Sequence, residues 1–182
     1  MKPIGLSTLI DNHIVDICGK GNESLKIYDL HFFRKEELVE TVFSSYQLAP
    51  ILAFAKNRAG DFWGFAEGEL IAIYRHDDEE SELIAPDVNA LLFQQVVNMA
   101  AHVRIQDSAQ ELVIRNRISS AVETLSSIFN KMMTGALIDI GSRKAVESPF
   151  GRTLIGEKAA YDIIDTVCLF AQRNETFPWM KT

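Results

Sequence analysis

The chain has 182 residues, of which 47% are hydrophobic and 9% aromatic, a composition that supports a buried core and excludes a disordered protein. Its formal net charge of −7 disfavours binding to nucleic acid through a basic surface, because phosphate contacts need clustered Lys and Arg. No apolar run approaches the roughly 20 residues that span a bilayer, and residues 1–21 lack the long apolar stretch of a signal peptide.

The N-terminal part of the chain predicts a strand followed by a helix. The stretch SLKIYDLHFF (24–33) alternates apolar and polar residues, as a strand with one buried face does. From Arg34 to about Tyr46, apolar residues recur every four positions while charged residues fill the opposite face, which predicts an amphipathic helix. Residues 4–18 fit either a short strand or the start of a helix.

The segment Leu52–Arg75 predicts a three-stranded antiparallel meander. Its three apolar stretches, ILAFA, DFWGFA and ELIAIYR, are rich in aromatic and β-branched residues, which suit a pleated surface. KNRAGD (56–61) has the chemistry of a turn, because Asn and Gly tolerate positive φ and Asp accepts local backbone hydrogen bonds. Glu67-Gly68 is expected to close a tight hairpin between the second and third strands.

Two helices are predicted after Pro86. The first, over residues 88–105, has an apolar stripe at helical spacing. The second opens at Ser108 with Glu111 three residues on, at the spacing of a capping box, and Gly135 is expected to end it. Along this second helix the apolar residues form a heptad-like seam of Ile114, Ile118, Ala121, Leu125, Ile128 and Met132.

The C-terminal part of the chain predicts one more helix. ALIDIG (136–141) is typical of a short strand, residues 142–152 of a polar loop, and residues 157–172 of an amphipathic helix. Phe177 and Trp179 in the tail either plug the core or belong to a binding surface. Together the elements predict an α+β fold, in which an antiparallel sheet is flanked by helices and accompanied by a helical C-terminal part.

The two cysteines predict a reducing compartment. Cys18 and Cys168 lie far apart in the sequence, match no metal or redox spacing and have apolar neighbours, so we expect buried thiols and no disulfide. Since no signal peptide is expected either, the predicted location is the cytoplasm.

The meander carries motifs that are similar to those of a known family. In chain order the motifs are Ile51–Ala55, Gly60-Asp61, Phe62–Phe65, Leu70–Tyr74 and His76-Asp77. A strand, a Gly-Asp step, alternating aromatic positions, a further strand and a His-Asp ahead of an acidic stretch resemble the signature of the SUKH superfamily. Many bacterial toxin-immunity proteins belong to that superfamily, and the resemblance covers residues 28–97.

The resemblance implies an α+β protein that binds another protein, commonly a secreted toxin domain, and performs no chemistry of its own. With it we expect a SUKH-like domain at residues 1–106 and a helical extension at 107–182 packed on that domain. A single domain of 182 residues is the alternative, because this length suits either arrangement.

Acidic residues are concentrated in one stretch of the chain. From Asp61 to Glu82 there are eight acids and one base, Arg75, so this stretch carries −7 and the remainder is neutral on balance. The pattern predicts an acidic face or edge that attracts a basic protein, for which a nuclease toxin is one candidate. A solvated loop without a partner explains it equally well. The predicted contact residues are Asp77, Asp78, Glu79, Glu80 and Glu82, with Trp63 and Tyr74 as aromatic anchors if they are exposed.

No motif predicts catalysis or a cofactor. The sequence has no GxSxG, no Gly-rich phosphate loop and no Cys-His signature, so we expect a binding protein and not an enzyme. The histidines are scattered along the chain. A cation site at His76, Asp77, Asp78 and Glu80 would lack the Gly of a calcium loop and the further His or Cys of a zinc site, so we expect no metal.

Three hypotheses for function follow, and the first is favoured. It is an immunity-type protein that binds and neutralises a cognate toxin, without direct contact to nucleic acid or membrane. The second is a small enzyme, such as a hydrolase, whose site is assembled from residues distant in sequence. The third is an adaptor or structural protein that dimerises through the helix Ile114–Met132, although packing of that seam within one chain, and hence a monomer, is favoured.

Overall fold

The computed structural model of the chain describes residues 28–32, 53–66, 70–75, 80–148, 151–171 and 173–178. These residues form an α+β protein, as the sequence predicts. The strands are β1 (His31–Phe32), β2 (Ala53–Lys56), β3 (Phe62–Phe65), β4 (Ile71–Tyr74), β5 (Glu80–Ala85), β6 (Val146–Ser148), β7 (Gly151–Thr153) and β8 (Thr176–Pro178). The helices are α1 (Val88–His102), α2 (Ser108–Thr124), α3 (Lys131–Ser142) and α4 (Glu157–Cys168). None of these described helices is long and apolar enough to cross a membrane.

Several sequence predictions fall outside the described residues. They are the element expected within 4–18, the helix expected over 34–46, and the residues Cys18 and Trp179. Cys168, the other cysteine, forms no disulfide with any described residue and is half-buried at the end of α4.

The described residues divide into two compact units. The first contains 29–32, 53–66, 70–75, 80–88, 170–171 and 173–178, and the second contains 28, 89–148 and 151–169. The division into separate domains at residues 1–106 and 107–182 stays a prediction. The two units divide instead at residues 88 and 169, because the chain returns to the first unit after α4 to form β8.

The first unit is built on a six-stranded antiparallel sheet with the strand order β1-β2-β3-β4-β5-β8. Its middle contains the predicted three-stranded meander, which is confirmed as β2, β3 and β4. Ala72, Tyr74 and Leu83 are buried together, and four half-buried residues pack against them: Phe62, Ala66, Leu70 and Phe170.

The turn between β2 and β3 has the predicted Asn-Gly-Asp chemistry. The side-chain oxygen of Asn57 accepts hydrogen bonds from the backbone N–H groups of Gly60 and Asp61, each at 2.9 Å. The Asn57 amide in turn donates to the Asp61 carboxylate at 2.8 Å. Gly60 has φ 102°, a conformation that residues with a Cβ rarely adopt, so this position requires glycine.

Strand β5 shows that Glu80 and Glu82, which were expected to belong to a loop, belong to a strand. Ser81, Leu83 and Ala85 are buried while Glu82 and Ile84 are half-buried, the alternation of a strand with two unequal faces. The strand pairs antiparallel with β4, with Ser81 opposite Tyr74. The acidic residues hid this pattern in the sequence, because only two of its six positions are strongly apolar.

Strand β8 turns the C-terminal tail into the edge of the sheet. It pairs antiparallel with β5, with Phe177 opposite Ser81, and the pairing is extended by backbone bonds between Leu83 and residues Asn174 and Glu175 at 2.8 and 2.9 Å. Pro178 is tolerated here because an edge strand has one row of N–H groups without a neighbouring strand. Residues 174–178 are therefore part of the sheet framework.

The second unit corrects the prediction of one long seam helix. The helix α2 ends at Thr124, residues 125–129 form turns, and α3 begins after Asn130, whose side-chain oxygen accepts from the N–H of Met133 at 2.9 Å. ALIDIG is helical within α3, so the predicted short strand is wrong. Gly135, the expected end of the helix, lies inside α3 as well.

The burial of the seam residues changes at this break. Its first four members, Ile114, Ile118, Ala121 and Leu125, are all buried, whereas Ile128 is half-buried and Met132 is 55% exposed. Ile118 approaches Gly141 of α3, since a Cβ placed on Gly141 would lie 3.8 Å from its Cγ2. The buried part of the seam thus packs within its own unit and is not available to a second chain.

A hairpin replaces part of the predicted polar loop. Strands β6 and β7 pair antiparallel, with Val146 opposite Thr153. The end of α1 holds this hairpin, because the N–H of Ile105 donates to the carbonyl of Arg152 at 2.8 Å and the N–H of Leu154 donates to the carbonyl of Ala100 at 3.0 Å. The last predicted helix is confirmed as α4.

The N-terminus of α2 lies one residue earlier than the predicted capping box. Asp107 is the N-cap, and its carboxylate accepts from the N–H of Gln110 at 2.8 Å. Glu111 forms ion pairs with Arg115 at 2.6 Å and with Arg152 at 2.8 Å, which ties α2 to the hairpin. The hydrogen bond from Arg115, and then the charges of both arginines, lower the pKa of Glu111.

This assignment of the cap is testable by substitution. Asp107→Ala should lower the free energy of unfolding by about 1 kcal/mol, because the N–H of Gln110 loses its acceptor. Ser108→Ala is the matched control and should change stability little, since Ser108 is an exposed first helical residue. Urea denaturation of both variants gives the comparison, and a larger loss for Ser108→Ala would support the predicted capping box instead.

Candidate functional site

The register of the sheet shows from which end of the sheet each acidic connection starts. Lys56, Phe62, Tyr74, Ser81 and Phe177 stand opposite one another on successive strands. The turn 57–61 and the connection 76–79 therefore start from the same end of the sheet, whereas the connection 67–69 between β3 and β4 starts from the opposite end.

The acidic stretch is consequently divided between the two ends. Asp77, Asp78 and Glu79 belong to the connection between β4 and β5, while Glu67 and Glu69 belong to the connection at the other end. These five residues lie outside the described residues, and of Glu80 the backbone is described, paired with Pro178. The prediction of an acidic face or edge therefore stays a prediction, because five of its eight acids lie outside the described residues.

Asp61 is turned into the protein. It is 5% exposed, and its carboxylate accepts from the Asn57 side chain within the β2–β3 turn. Its charge therefore supports the turn and contributes little to a surface that a partner could reach.

Glu82, a predicted contact residue, forms an ion pair with the only base of the stretch. One carboxylate oxygen lies 2.8 Å from a guanidinium nitrogen of Arg75, and the Glu82 side chain is 20% exposed. The pair spans neighbouring strands diagonally, since Glu82 stands opposite Ile73. Sequence reasoning missed this pair because it did not predict β5, which brings the two residues together.

Trp63 and Tyr74 were predicted as aromatic anchors only if exposed, and both are buried. Each is 6% exposed, and both lie on inner strands of the sheet. Trp63 stands opposite Ala55 and Ile73, and its indole N–H has no acceptor among the described residues. Both residues are therefore part of the core of the sheet.

Tyr74 is held by a specific hydrogen bond across the neighbouring strand. Its hydroxyl donates to the carbonyl of Phe65 at 3.1 Å. Burial raises the pKa of Tyr74 to about 12, since the phenolate would lose its hydration.

Metal-binding chemistry finds no support in the part of the chain that the structure describes. No group of three or more His, Cys, Asp or Glu residues there could hold a metal ion. His31 and His102 are both exposed, and the ring of His102 stacks on Tyr28 with a centroid separation of 6.0 Å. The cation site considered at residues 76–80 involves side chains outside the described residues.

Comparison of the chain with family models, with characterised proteins and with solved structures finds no match. The resemblance to the SUKH superfamily therefore stays a prediction based on the short motifs between Ile51 and Asp77. The fold of the first unit contains the strands on which those motifs were placed, at β2, β3 and β4.

The environment of Tyr74 predicts a pH-dependent stability. The folded chain raises the Tyr74 pKa above its ordinary value of 10.0, so its contribution is complete below about pH 10 and is lost as the pH rises towards about 12. At neutral pH, Tyr74→Phe should lose about 1 kcal/mol, the contribution of one hydrogen bond. Above about pH 10 the wild type should lose this advantage, by about 1.4 kcal/mol per pH unit.

Chemical denaturation at a series of pH values measures the free energy of unfolding of the wild type and of Tyr74→Phe. Plotted against pH, the two free energies of unfolding should converge and then cross, because the phenylalanine variant has no group to ionise at this position. Parallel curves up to about pH 12 would mean that Tyr74 ionises as readily in the folded chain as in the unfolded one.

Proposed function

We propose that the protein is an immunity-type inhibitor that binds a basic toxin domain through the acidic connection between β4 and β5. The observation that carries the proposal is a run of four carboxylates, Asp77–Glu80, without a base among them, placed where two paired strands end. The proposal also includes a cytoplasmic location and no chemistry by this chain.

The charge distribution supports a binding role for this run. Of the eight acids between Asp61 and Glu82, Asp61 is buried and Glu82 is paired with Arg75. Four adjacent like charges repel one another, and a basic partner relieves that repulsion. Complementary charge also steers the encounter of two proteins and selects against wrong partners.

The scaffold supports the same role. Glu80 is the first residue of β5, a strand that is paired on both sides, and Arg75 joins Glu82 across the strands just beyond the connection. A connection whose two ends are held by a sheet presents its charges from a fixed base, as binding loops commonly do. With Trp63 and Tyr74 buried, affinity depends on electrostatics and on apolar anchors elsewhere.

Inhibition by this route requires only that the protein occupies the substrate-binding site of the toxin. A nuclease toxin carries cationic residues where its substrate phosphates bind, and an acidic connection seated there excludes the substrate. The SUKH resemblance implies the same mode of action. The hypotheses of an enzyme and of an adaptor gain no specific observation from the described residues.

Charge reversal tests the proposal, with the product of the neighbouring gene as the binding partner. Asp77→Lys with Asp78→Lys should reduce the association rate by at least about tenfold and flatten its dependence on salt, because steering is lost. Reversal of all four residues Asp77–Glu80 should have a larger effect. Stopped-flow or surface-based kinetics at several ionic strengths gives the rates.

The matched control is Glu67→Lys with Glu69→Lys, which changes the net charge equally but acts at the opposite end of the sheet. It should reduce the association rate much less. Equal effects of both pairs would indicate a response to total charge alone, and unchanged kinetics in all variants would show that the acidic connection is a solvated loop.

A further inference from the structure

One helix of the second unit has an exposed apolar face. In α3, Met133, Leu137 and Ile140 are buried, and they form the side by which the helix packs within its unit. The opposite side is exposed and consists of Lys131, Met132, Gly135, Ile138, Asp139 and Ser142. Met132 and Ile138 are 55% and 59% exposed, so this face of the helix presents two large apolar side chains to solvent.

Gly135 stands in the middle of this exposed face. A Cβ added there would have no neighbour within 4 Å, so packing inside the chain does not require glycine at this position. Glycine is also a poor helix former, second only to proline. Its lack of a side chain leaves a shallow depression between Met132 and Ile138 into which a second helix can approach closely.

The exposed residues are arranged symmetrically about Gly135. Met132 and Ile138 lie three positions before and after it, and Lys131 and Asp139 lie four positions before and after it. At 3.6 residues per turn, the five residues cover an arc of about 120°, and Lys131 and Asp139 are separated by about 12 Å along the axis. Apolar residues are thus matched with apolar ones, and a base with an acid.

We propose that the exposed face of α3 binds the same face of a second copy of this chain, with the two helices antiparallel and crossing at Gly135. A two-fold axis at this point places Lys131 and Met132 of one copy at the level of Ile138 and Asp139 of the other. Opposite charges then meet at both ends of the interface. A parallel arrangement would instead place lysine beside lysine and aspartate beside aspartate.

The charged groups are available for this pairing. Asp139 binds Arg143 through its oxygen Oδ2, at 2.9 Å from Nε and 2.7 Å from a terminal nitrogen of the guanidinium. Its oxygen Oδ1 accepts no hydrogen bond from any described residue. Lys131 likewise has no ion-pair partner within the described part of the chain.

The interface is small, which determines the kind of dimer expected. Two helices of 12 residues bury an area below the roughly 1,000 Å² typical of stable complexes. The dimer is therefore weak, reversible and dependent on concentration. It makes no use of the acidic connection, so it stands or fails independently of the proposed function.

Analytical ultracentrifugation of the full chain, from about 1 μM to about 1 mM, tests the inference. The wild type should pass from monomer to dimer within this range. Ile138→Asp should weaken the dimer by at least about tenfold, because it places a charge on each side of the two-fold axis. Leu112→Asp, at a residue of α2 that is 58% exposed, is the control and should leave the dimer unchanged.

A charge swap tests the antiparallel geometry directly. Lys131→Glu alone should weaken the dimer roughly tenfold, since the new carboxylate faces Asp139 of the other copy at both ends. Asp139→Lys alone should weaken it similarly, and the double variant should recover most of the wild-type affinity. Circular dichroism confirms that each variant folds. A monomer at every concentration, an equal effect of Leu112→Asp, or no recovery in the double variant would overturn the inference.

Discussion

The pairing of β5 with β4 on one side and β8 on the other is the constraint on which the first unit depends. It converts a segment that begins with acidic residues into an inner strand with both rows of backbone groups hydrogen-bonded. It also brings Glu82 next to Arg75 and places Ser81 opposite Tyr74. Without this pairing, β4, which carries Tyr74, would be paired on one side only.

Two acids of the stretch have structural roles in the sheet. The carboxylate of Asp61 is used in a turn and that of Glu82 in an ion pair, so neither adds an uncompensated charge to the surface. The run Asp77–Glu80 has no such compensation within its own stretch, where Arg75 is the only base. The proposed binding site consists of the acids of this stretch other than the two that the structure shows to be used within the sheet.

Much of the fold could be predicted from local patterns, and the errors have specific causes. The meander and the last helix were predictable because alternation and helical spacing are properties of a single segment. The seam helix was predicted too long because the apolar spacing of the sequence continues through residues 125–130, where the chain leaves the helix. The candidate site was only half predictable, since the alternation of apolar residues within a strand does not show whether Trp63 and Tyr74 are covered by other residues.

The sequence by itself determined the α+β class, the concentration of acids between Asp61 and Glu82, and the Asn-Gly-Asp turn, because each of these is local. Only the tertiary structure decided that Asp61 and Glu82 are used within the sheet, that Thr176–Pro178 form a strand, and that α3 has an exposed face centred on Gly135. The physical reason is that burial and pairing are properties of two segments in contact. The residue pattern of one segment gives no information about where the other segment lies.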